Sequence, residues 1–533
     1  MTRLTGGGAL VAALAAHGVD TVFGIPGTHN LAAYAAMPAH GIRHISARHE
    51  QGAGYAADGY ARSTGRTGVV ITTTGPALLN AAAAAAQAHS DSVPVLLVSP
   101  GMPLTHPGLG NGLLHEAKNQ TGAMAALVGY SHRVASIAEI PYAVARAFTA
   151  MACGRPRPVH LEIPLDLLVA AADVEIVQAA APPVVTPFAQ VLAAAAERIA
   201  VGRLPLVIAG GGAGGAPDQV RRFAETLGAP VITTANGKGT LPEDHPLAVG
   251  AGVQHPCVHD AVAESDCVIA IGTELAPADW WTGLPGFGTE LIRIDIDAGT
   301  VNTNAVASHA LVGDTAATLD ALLELLTFDT PPDAEDRATR LRRRHRADAA
   351  REGAPWLDIT EALRSALPRD AIVAGDSAMA CYYGALSNLP LHRPRAFLYP
   401  TGFGTLGYGL PAGIGAKVAA PDTPVLVLQG DGGTMFTVAE LAVGAELGLA
   451  LPVLVVDNGG YGEIRDEMAD RGEPVHAVTF PGPDFPALAR SLGCHGRHIG
   501  TVADLGPAIT EAFDADRPTV LHVHEDSRSS SRM

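Results

Sequence analysis

Short runs rich in Val, Ile and Leu alternate along most of the chain with longer Ala- and Leu-rich stretches of helical period. The runs are Gly68 to Thr73, Pro94 to Ser99, Val159 to Ile163, Leu206 to Ala209, Pro230 to Thr234, Cys267 to Ile271, Leu291 to Ile296, Val425 to Leu428 and Pro452 to Val456. Apolar runs that do not alternate with polar residues, and that are separated by helices, predict parallel strands buried on both faces. The fold class is therefore α/β, built from parallel sheets flanked by helices and repeated along the chain. At the start, Leu4, Leu10, Val11 and Leu14 mark one face of a helix closed by Gly18, followed by a strand from Val19 to Phe23. Arg3 and the Ala-rich stretch give this segment a superficial likeness to a secretion signal, but the strand that follows at once favours an ordinary helix.

Two shifts in composition interrupt the pattern. Ala171 to Pro187 carries paired prolines without helical periodicity, and Thr327 to Gly353 is polar and highly charged. They predict three domains, at 1–172, 188–326 and 354–525. The basic run Arg340 to Arg346 reads as part of a solvated linker helix, and the tail EDSRSSSRM reads as disordered. The first and third domains each offer a strand, a Gly-rich turn and a helix opening on small residues (GYAADGYAR and GYGLPAGIGA), a likeness compatible with an old duplication.

Composition narrows the function. The 533 residues are 48% hydrophobic and only 17% charged, which excludes a disordered chain. The net charge of −18 argues against nucleic acid or an anionic membrane as partner. No segment approaches the ~20 uncharged apolar residues of a membrane span. The five cysteines are scattered and form no CxxC pair, so neither a disulfide framework nor a thiolate zinc site is indicated, and a cytoplasmic location is expected.

Two Gly-rich turns follow apolar runs. Gly210-x-Gly212-x-x-Gly215 follows LPLVIAG and has the form of a dinucleotide fingerprint, but the next strand ends in Thr233 and Thr234, where an acidic residue would hold the ribose. A Rossmann-like central domain without NAD is expected. In the third domain VLVLQ runs into Gly430-Asp431-Gly432-Gly433 and a helix. The glycines let backbone N–H groups approach a phosphate, the helix start favours negative charge, and Asp431 offers a hard oxygen to a cation. Alone this could be a simple turn. Asn458, at the end of the next strand, changes that, because one strand-helix-strand unit brings both residues to the same sheet edge. Carboxylate, amide oxygen, backbone carbonyl and phosphate oxygens suit the octahedral shell of Mg²⁺.

GDG followed by an Asn-containing turn resembles the signature of the thiamine diphosphate-dependent enzymes of the acetolactate synthase and 2-oxo acid decarboxylase type, and the resemblance runs nearly end to end. It implies that Asp431, Asn458 and the Gly460 carbonyl hold Mg²⁺. Where the family has two asparagines, this chain has Asp457 and Asn458, the second being the ligand. In RHEQGAGYAADGYAR, Glu50 matches the glutamate that shares a proton with the aminopyrimidine ring of thiamine. Leu406 matches the apolar residue under the thiazolium, Gly404 brings a carbonyl to the exocyclic amine, and Ser377, Gly430, Gly432, Gly433 and Tyr461 fall at cofactor-binding positions. The family's TSGPGxxN turn is here Thr73 to Asn80, with Ala77 in place of the second Gly. Since a left-handed Ala77 would cost about 1 kcal/mol, a rebuilt turn is expected, with consequences for Asn80 beside the cofactor.

Such enzymes decarboxylate a small-molecule 2-oxo acid and either protonate the product to an aldehyde or ligate it to a second carbonyl. His115, His29 and the neighbouring Thr28 are candidate proton donors. Acetolactate synthases have Gln where His115 falls, so decarboxylation is favoured over an acetolactate synthase-like carboligase. A catalytically inactive homologue is the further alternative. The motifs GIPGTH, RHEQGAGY and LGNGLLHEAKNQ resemble the 5-guanidino-2-oxopentanoate decarboxylase subgroup. Glu116, Glu463, Asp466 and Glu467 are the acids that could meet a guanidinium. AIGTELAPADWW replaces the flavin-binding segment of the synthases, so no FAD is expected, and the family implies a homodimer or homotetramer with active sites between subunits.

Overall fold

The computed structural model describes residues 1–288, 290–326 and 330–525. All of the expected tail except Glu525, and the first three residues of the second charged stretch, lie outside the described residues. Three six-stranded sheets dominate the structure, and every pairing within them is parallel. A short strand β1 (Thr2–Thr5) pairs antiparallel with β8 (Ala171–Val174), so the expected first linker begins as a strand tied to the chain start.

The first sheet contains β2 (Thr21–Gly24), β3 (Arg43–Ser46), β4 (Gly68–Ile71), β5 (Val95–Gly101), β6 (Tyr130–Arg133) and β7 (Val159–Pro164), in the order β3-β2-β4-β5-β7-β6. The third contains β15 (Ile372–Gly375), β16 (Phe397–Leu398), β17 (Val425–Gly430), β18 (Pro452–Asp457), β19 (His495–His498) and β20 (Thr519–His524), in the order β16-β15-β17-β18-β20-β19. Counted within each domain, both orders read 2-1-3-4-6-5. The likeness read from two Gly-rich segments thus extends to the whole topology. The central sheet contains β9 (Pro205–Ala209), β10 (Val231–Thr233), β11 (Ala248–Ala251), β12 (Cys267–Ile271), β13 (Leu291–Asp295) and β14 (His309–Val312). Its order, β11-β10-β9-β12-β13-β14, is 3-2-1-4-5-6, the doubly wound arrangement.

Every long apolar run became a strand, since continuous Val, Ile and Leu can be covered by helices on both faces. The first strand begins later than expected, at Thr21, because Gly18 (φ 77) and the residues after it turn the chain away from the helix Gly6–Ala16. The basic run lies in the helix Ala334–Glu352 but is not simply solvated. Arg342 donates to the carbonyls of His245, Pro246 and Ala248, and Arg337 to those of Arg203 and Gly228, so guanidiniums fasten this helix to the central domain.

The first and third domains meet through the helices Glu50–Thr64 and Gly409–Ala419, the counterparts that follow the second strand of each sheet. Arg62, near the end of the first of these helices and with its side chain 10% exposed, joins all three domains. Its guanidinium bonds Asp58 at 2.7 Å and Asp91 at 2.7 Å in the first domain, the Asn236 side chain at 2.9 Å in the central domain and the Tyr399 carbonyl at 3.3 Å in the third. Tyr408 donates to Asp58 at 2.5 Å, and Asp91 accepts the Gly402 N–H.

Candidate functional site

The end of β17 and the turn after β18 stand side by side because those strands are neighbours. Gly430 leads into the helix Asp431–Thr437, and Asp431, 2% exposed, is its first residue. The Asn458 N–H approaches Asp431 Oδ1 at 3.4 Å, across 27 residues of sequence. Asp431 Oδ2 and Asn458 Oδ1 are both buried and without a hydrogen-bond partner. A native fold rarely leaves two such acceptors unpaired side by side, and a cation satisfies both at once. Gly460 (φ 139) turns the chain here; a methyl at Gly432 would come within 3.0 Å of the Tyr461 ring and 3.5 Å of the Gly460 carbonyl oxygen. Burial, and then the charge of Asp457, raise the Asp431 carboxyl above its ordinary range. A divalent cation would reverse that.

Asp457, which stands where the family has its first Asn, turns away from this pair. Its Oδ1 accepts the Gly459 N–H at 2.9 Å and its Oδ2 lies 2.9 Å from His522 Nε2. An aspartate at 457 therefore leaves the Asn458 side-chain oxygen buried and unpartnered beside Asp431.

A cavity of about 300 Å³ opens beside Asp431 and Gly432, walled by Met435, Tyr461 and Phe480. On the other side of the turn, a cavity of about 410 Å³ reaches Ser377 and Glu463. Leu406 is half-buried and Gly404 (φ 64) exposed on the neighbouring loop. That loop is organised by Asp376, a residue the sequence motifs did not single out. Its buried carboxylate accepts N–H groups from Ser377, Gly407 and Tyr408, and a methyl at Gly433 would strike it at 2.7 Å. Burial pushes this carboxyl to about 6.

In the first domain Glu50 opens its helix at 9% exposure, and Asn80 Nδ2 donates to Glu50 Oε2 at 3.0 Å. The rebuilt turn takes its left-handed residue at Gly75 (φ 61), while Ala77 lies in the short helix Pro76–Asn80 and carries no strain. Ala at position 77 is therefore compatible with Asn80 reaching Glu50. Another residue missed in the sequence, Glu440, crosses from the third domain to cap this helix, accepting the N–H groups of Arg48 (3.1 Å) and His49 (2.9 Å). Burial pushes Glu440 up to about 7.

His29 and His115 meet at a ring distance of 5.1 Å, His29 Nδ1 lying 2.9 Å from Thr74 Oγ1. Burial, then His115, lower the pKa of His29. His115 has a positive φ (63°), and its Nδ1 is buried without a partner. Thr28 is exposed beside this pair. Of the four candidate acids, Glu116 is spent on the loop N–H groups of Asn111 and Gly112, Asp466 pairs with Arg465 and Glu467 with Arg471; Glu463 alone lines a cavity.

In the central domain, Arg155 from the first domain bonds Asp295 at 2.8 Å and Glu274 at 3.0 Å at the carboxyl edge of the sheet.

Three family models match the chain in order. They are the N-terminal binding domain of thiamine pyrophosphate enzymes over residues 4–123, the central domain of those enzymes over 192–322, and their C-terminal binding domain over 377–523. The chain is 43% identical over 527 residues to a probable 2-ketoarginine decarboxylase of Pseudomonas aeruginosa, covering 98% of this chain and 94% of that one. It is 34% identical over 529 residues to the acetolactate synthase isozyme 2 large subunit of Escherichia coli, covering 97% and 95%. With the acetolactate synthase large subunit of Corynebacterium glutamicum it shares 32% over 582 residues, covering 99% and 88%.

Proposed function

The chain belongs to the thiamine pyrophosphate enzyme family, and from that premise we propose that it is a Mg²⁺-dependent decarboxylase of 2-oxo acids, with 5-guanidino-2-oxopentanoate as its substrate. The observation that carries the cofactor reading is the pair of buried, unpartnered oxygens on Asp431 and Asn458. They fit a divalent cation, with the Gly460 carbonyl beside them, and the N–H groups after Gly430 suit the diphosphate that the cation would bridge.

Bound thiamine diphosphate supplies an electron sink for the carbanion left when CO₂ departs. The chain's own residues do the rest. Glu50, oriented by Asn80, holds a proton at the pyrimidine ring. Gly404 and Leu406, on the loop beside Asp376, would contact the bound cofactor. His115 and His29 deliver a proton to the reacting carbon, and because burial and His115 lower the pKa of His29, its ring holds the proton less tightly than a free imidazole and gives it up more readily once it is charged. CO₂ having left, protonation of that carbon yields the aldehyde. The substrate follows the 43% identity to the Pseudomonas protein named as a probable 2-ketoarginine decarboxylase. The acetolactate synthase relatives support carboligation as the second reading.

Phe403, Met435 and Phe436, each about half exposed around Leu406 and Asp431, support burial of this rim against a second subunit in a homodimer or homotetramer. The five free cysteines support a cytoplasmic location, and the described residues include no helix long and apolar enough to cross a membrane. No nicotinamide or flavin is assigned to the central domain.

The test supplies the protein with thiamine diphosphate, Mg²⁺ and a panel of 2-oxo acids including the guanidino acid, pyruvate and benzoylformate. Stoichiometric CO₂ and aldehyde support decarboxylation. Acyloin or acetolactate transfers the assignment to carboligation, and tight cofactor binding without turnover removes both.

A further inference from the structure

The 410 Å³ cavity lies between the central and third domains, and its chemistry is one-sided. Two carboxyl groups line it, Glu463 and Asp279, and no Lys, Arg or His does. Arg465, the nearest base in sequence to Glu463, is held elsewhere, bonded to the Asn458 carbonyl and Asp466.

Glu463 is fixed in place. It lies in the first turn of the helix Gly462–Asp470, immediately after the proposed metal-binding turn. Its Oε1 accepts the Tyr383 hydroxyl at 2.8 Å and its Oε2 the Tyr382 hydroxyl at 3.2 Å. These tyrosines are adjacent on a π-helical turn, Ala380–Ala385, a widening of the helix that recurs at functional sites. Each carboxylate oxygen keeps lone pairs for a further donor.

Trp281 completes the wall from the other domain. Its ring stands nearly perpendicular to those of Tyr383 at 5.5 Å and Tyr382 at 6.2 Å. The backbone at Trp281 has φ 54 and ψ −46, a conformation that a bulky residue adopts only when its surroundings compel it, and such strain gathers at ligand clamps. Asp279 also lines the cavity, and burial pushes its carboxyl up to about 7. A cation entering the cavity would draw it back to the charged form.

A pinned carboxylate among three aromatic rings, with a second acid in the lining and no Lys, Arg or His among the described residues that line it, suits a flat cation. A guanidinium can take two parallel N–H bonds to the carboxylate and lie against the ring faces. We infer that this cavity binds the cationic end of the substrate, with Glu463 as the carboxylate partner, Trp281, Tyr382 and Tyr383 as the aromatic walls, and 2-oxo acids bearing a terminal guanidinium as the class selected. This rests on the 2-oxo acid decarboxylase reading and adds to it the residues that set its specificity.

The test compares the wild-type holoenzyme with Glu463→Gln on 5-guanidino-2-oxopentanoate and on uncharged 2-oxohexanoate of similar length. The ratio of the two kcat/KM values should fall about 30-fold or more in the variant, the range for losing a hydrogen bond to a charged group. A ratio unchanged in Glu463→Gln, while the wild type turns over the guanidino acid, overturns the pocket and leaves the decarboxylase standing. Calorimetric binding of 4-guanidinobutanoate needs no turnover, so it reads the pocket even if the decarboxylase assignment fails. Its affinity should drop by a similar factor in Glu463→Gln, and equal affinity for both proteins overturns the inference. Tyr383→Phe, which keeps the carboxylate and frees it from one hydroxyl, should weaken the same ligand by a smaller factor. Thiamine diphosphate affinity, measured alongside, reports that each variant is folded.

Discussion

Gly59 and Gly415 are counterparts in a reciprocal contact between the first and third domains. A methyl at Gly59 would lie 2.1 Å from the Ala412 carbonyl oxygen, and one at Gly415 would lie 1.9 Å from that of Ala56. Each glycine stands three residues beyond the alanine that faces its counterpart, so the two helices contact each other as a pseudo-symmetric pair. Gly59→Ala or Gly415→Ala should each destabilise the protein by about 1–3 kcal/mol, the cost of inserting a methyl where backbone must move. Urea unfolding measures this, and an unchanged midpoint would contradict so close an approach.

Glu50→Gln keeps the size and the contact with Asn80 but removes the shared proton. Cofactor binding should survive while exchange of the thiazolium C2 proton, followed by NMR, becomes undetectably slow. Normal exchange would take Glu50 out of the mechanism.

Asp431→Ala removes the only carboxylate in the proposed cation site. Thiamine diphosphate affinity in the presence of Mg²⁺ should fall more than about 100-fold, beyond the range found for losing an outer-shell partner of a metal. Titration with and without Mg²⁺ checks this, and wild-type affinity would refute the ligand set.

At Gly75 the backbone (φ 61, ψ −108) is one that glycine alone adopts readily, and a methyl there would meet the His115 carbonyl oxygen at 2.3 Å. Gly75→Ala should therefore push His115 out of position and lower kcat about 100-fold, with cofactor affinity little changed. Steady-state kinetics beside a cofactor titration separates the two effects.

Glu440 gives a pH signature. Burial raises its carboxyl from 4.5 to about 7, so the folded protein holds this proton more tightly than the unfolded chain. The stabilisation is complete below about 4.5 and is lost as pH rises through about 7. Glu440→Gln, which retains an acceptor for the Arg48 and His49 N–H groups, should lose that part of the dependence. The melting temperatures of wild type and variant should diverge in favour of Gln as pH passes 7.

The strands, the α/β class and the approach of Asn458 to Asp431 were legible in the sequence because each is a local matter. A continuous apolar run can be read without knowing its neighbours, and Asp431 and Asn458 belong to one strand-helix-strand unit. Glu440 could not be found that way, since its partner His49 is 391 residues distant. The same holds for Trp281, whose ring meets Tyr383 only after two domains have docked. Among the acids, Glu116, Asp466 and Glu467 looked equivalent to Glu463 as letters. Neighbouring bases and loop N–H groups set them apart, and those arrangements arise only in the fold. The cost of a left-handed Ala77 is legible in the sequence, but where the turn puts its positive φ instead, at Gly75, is settled only by how the loop packs against His115.

The Arg62 node has a consequence for how this molecule comes into being. Asp58 is wholly buried and pairs with Arg62 inside its own helix, while the same arginine also donates to Asn236 and the Tyr399 carbonyl from the two domains synthesised later. A ribosome that has released only the first domain has therefore delivered the ion pair without its outer partners. The later domains therefore close onto a charge cluster that the first domain already carries, and their docking completes the set of acceptors around one guanidinium.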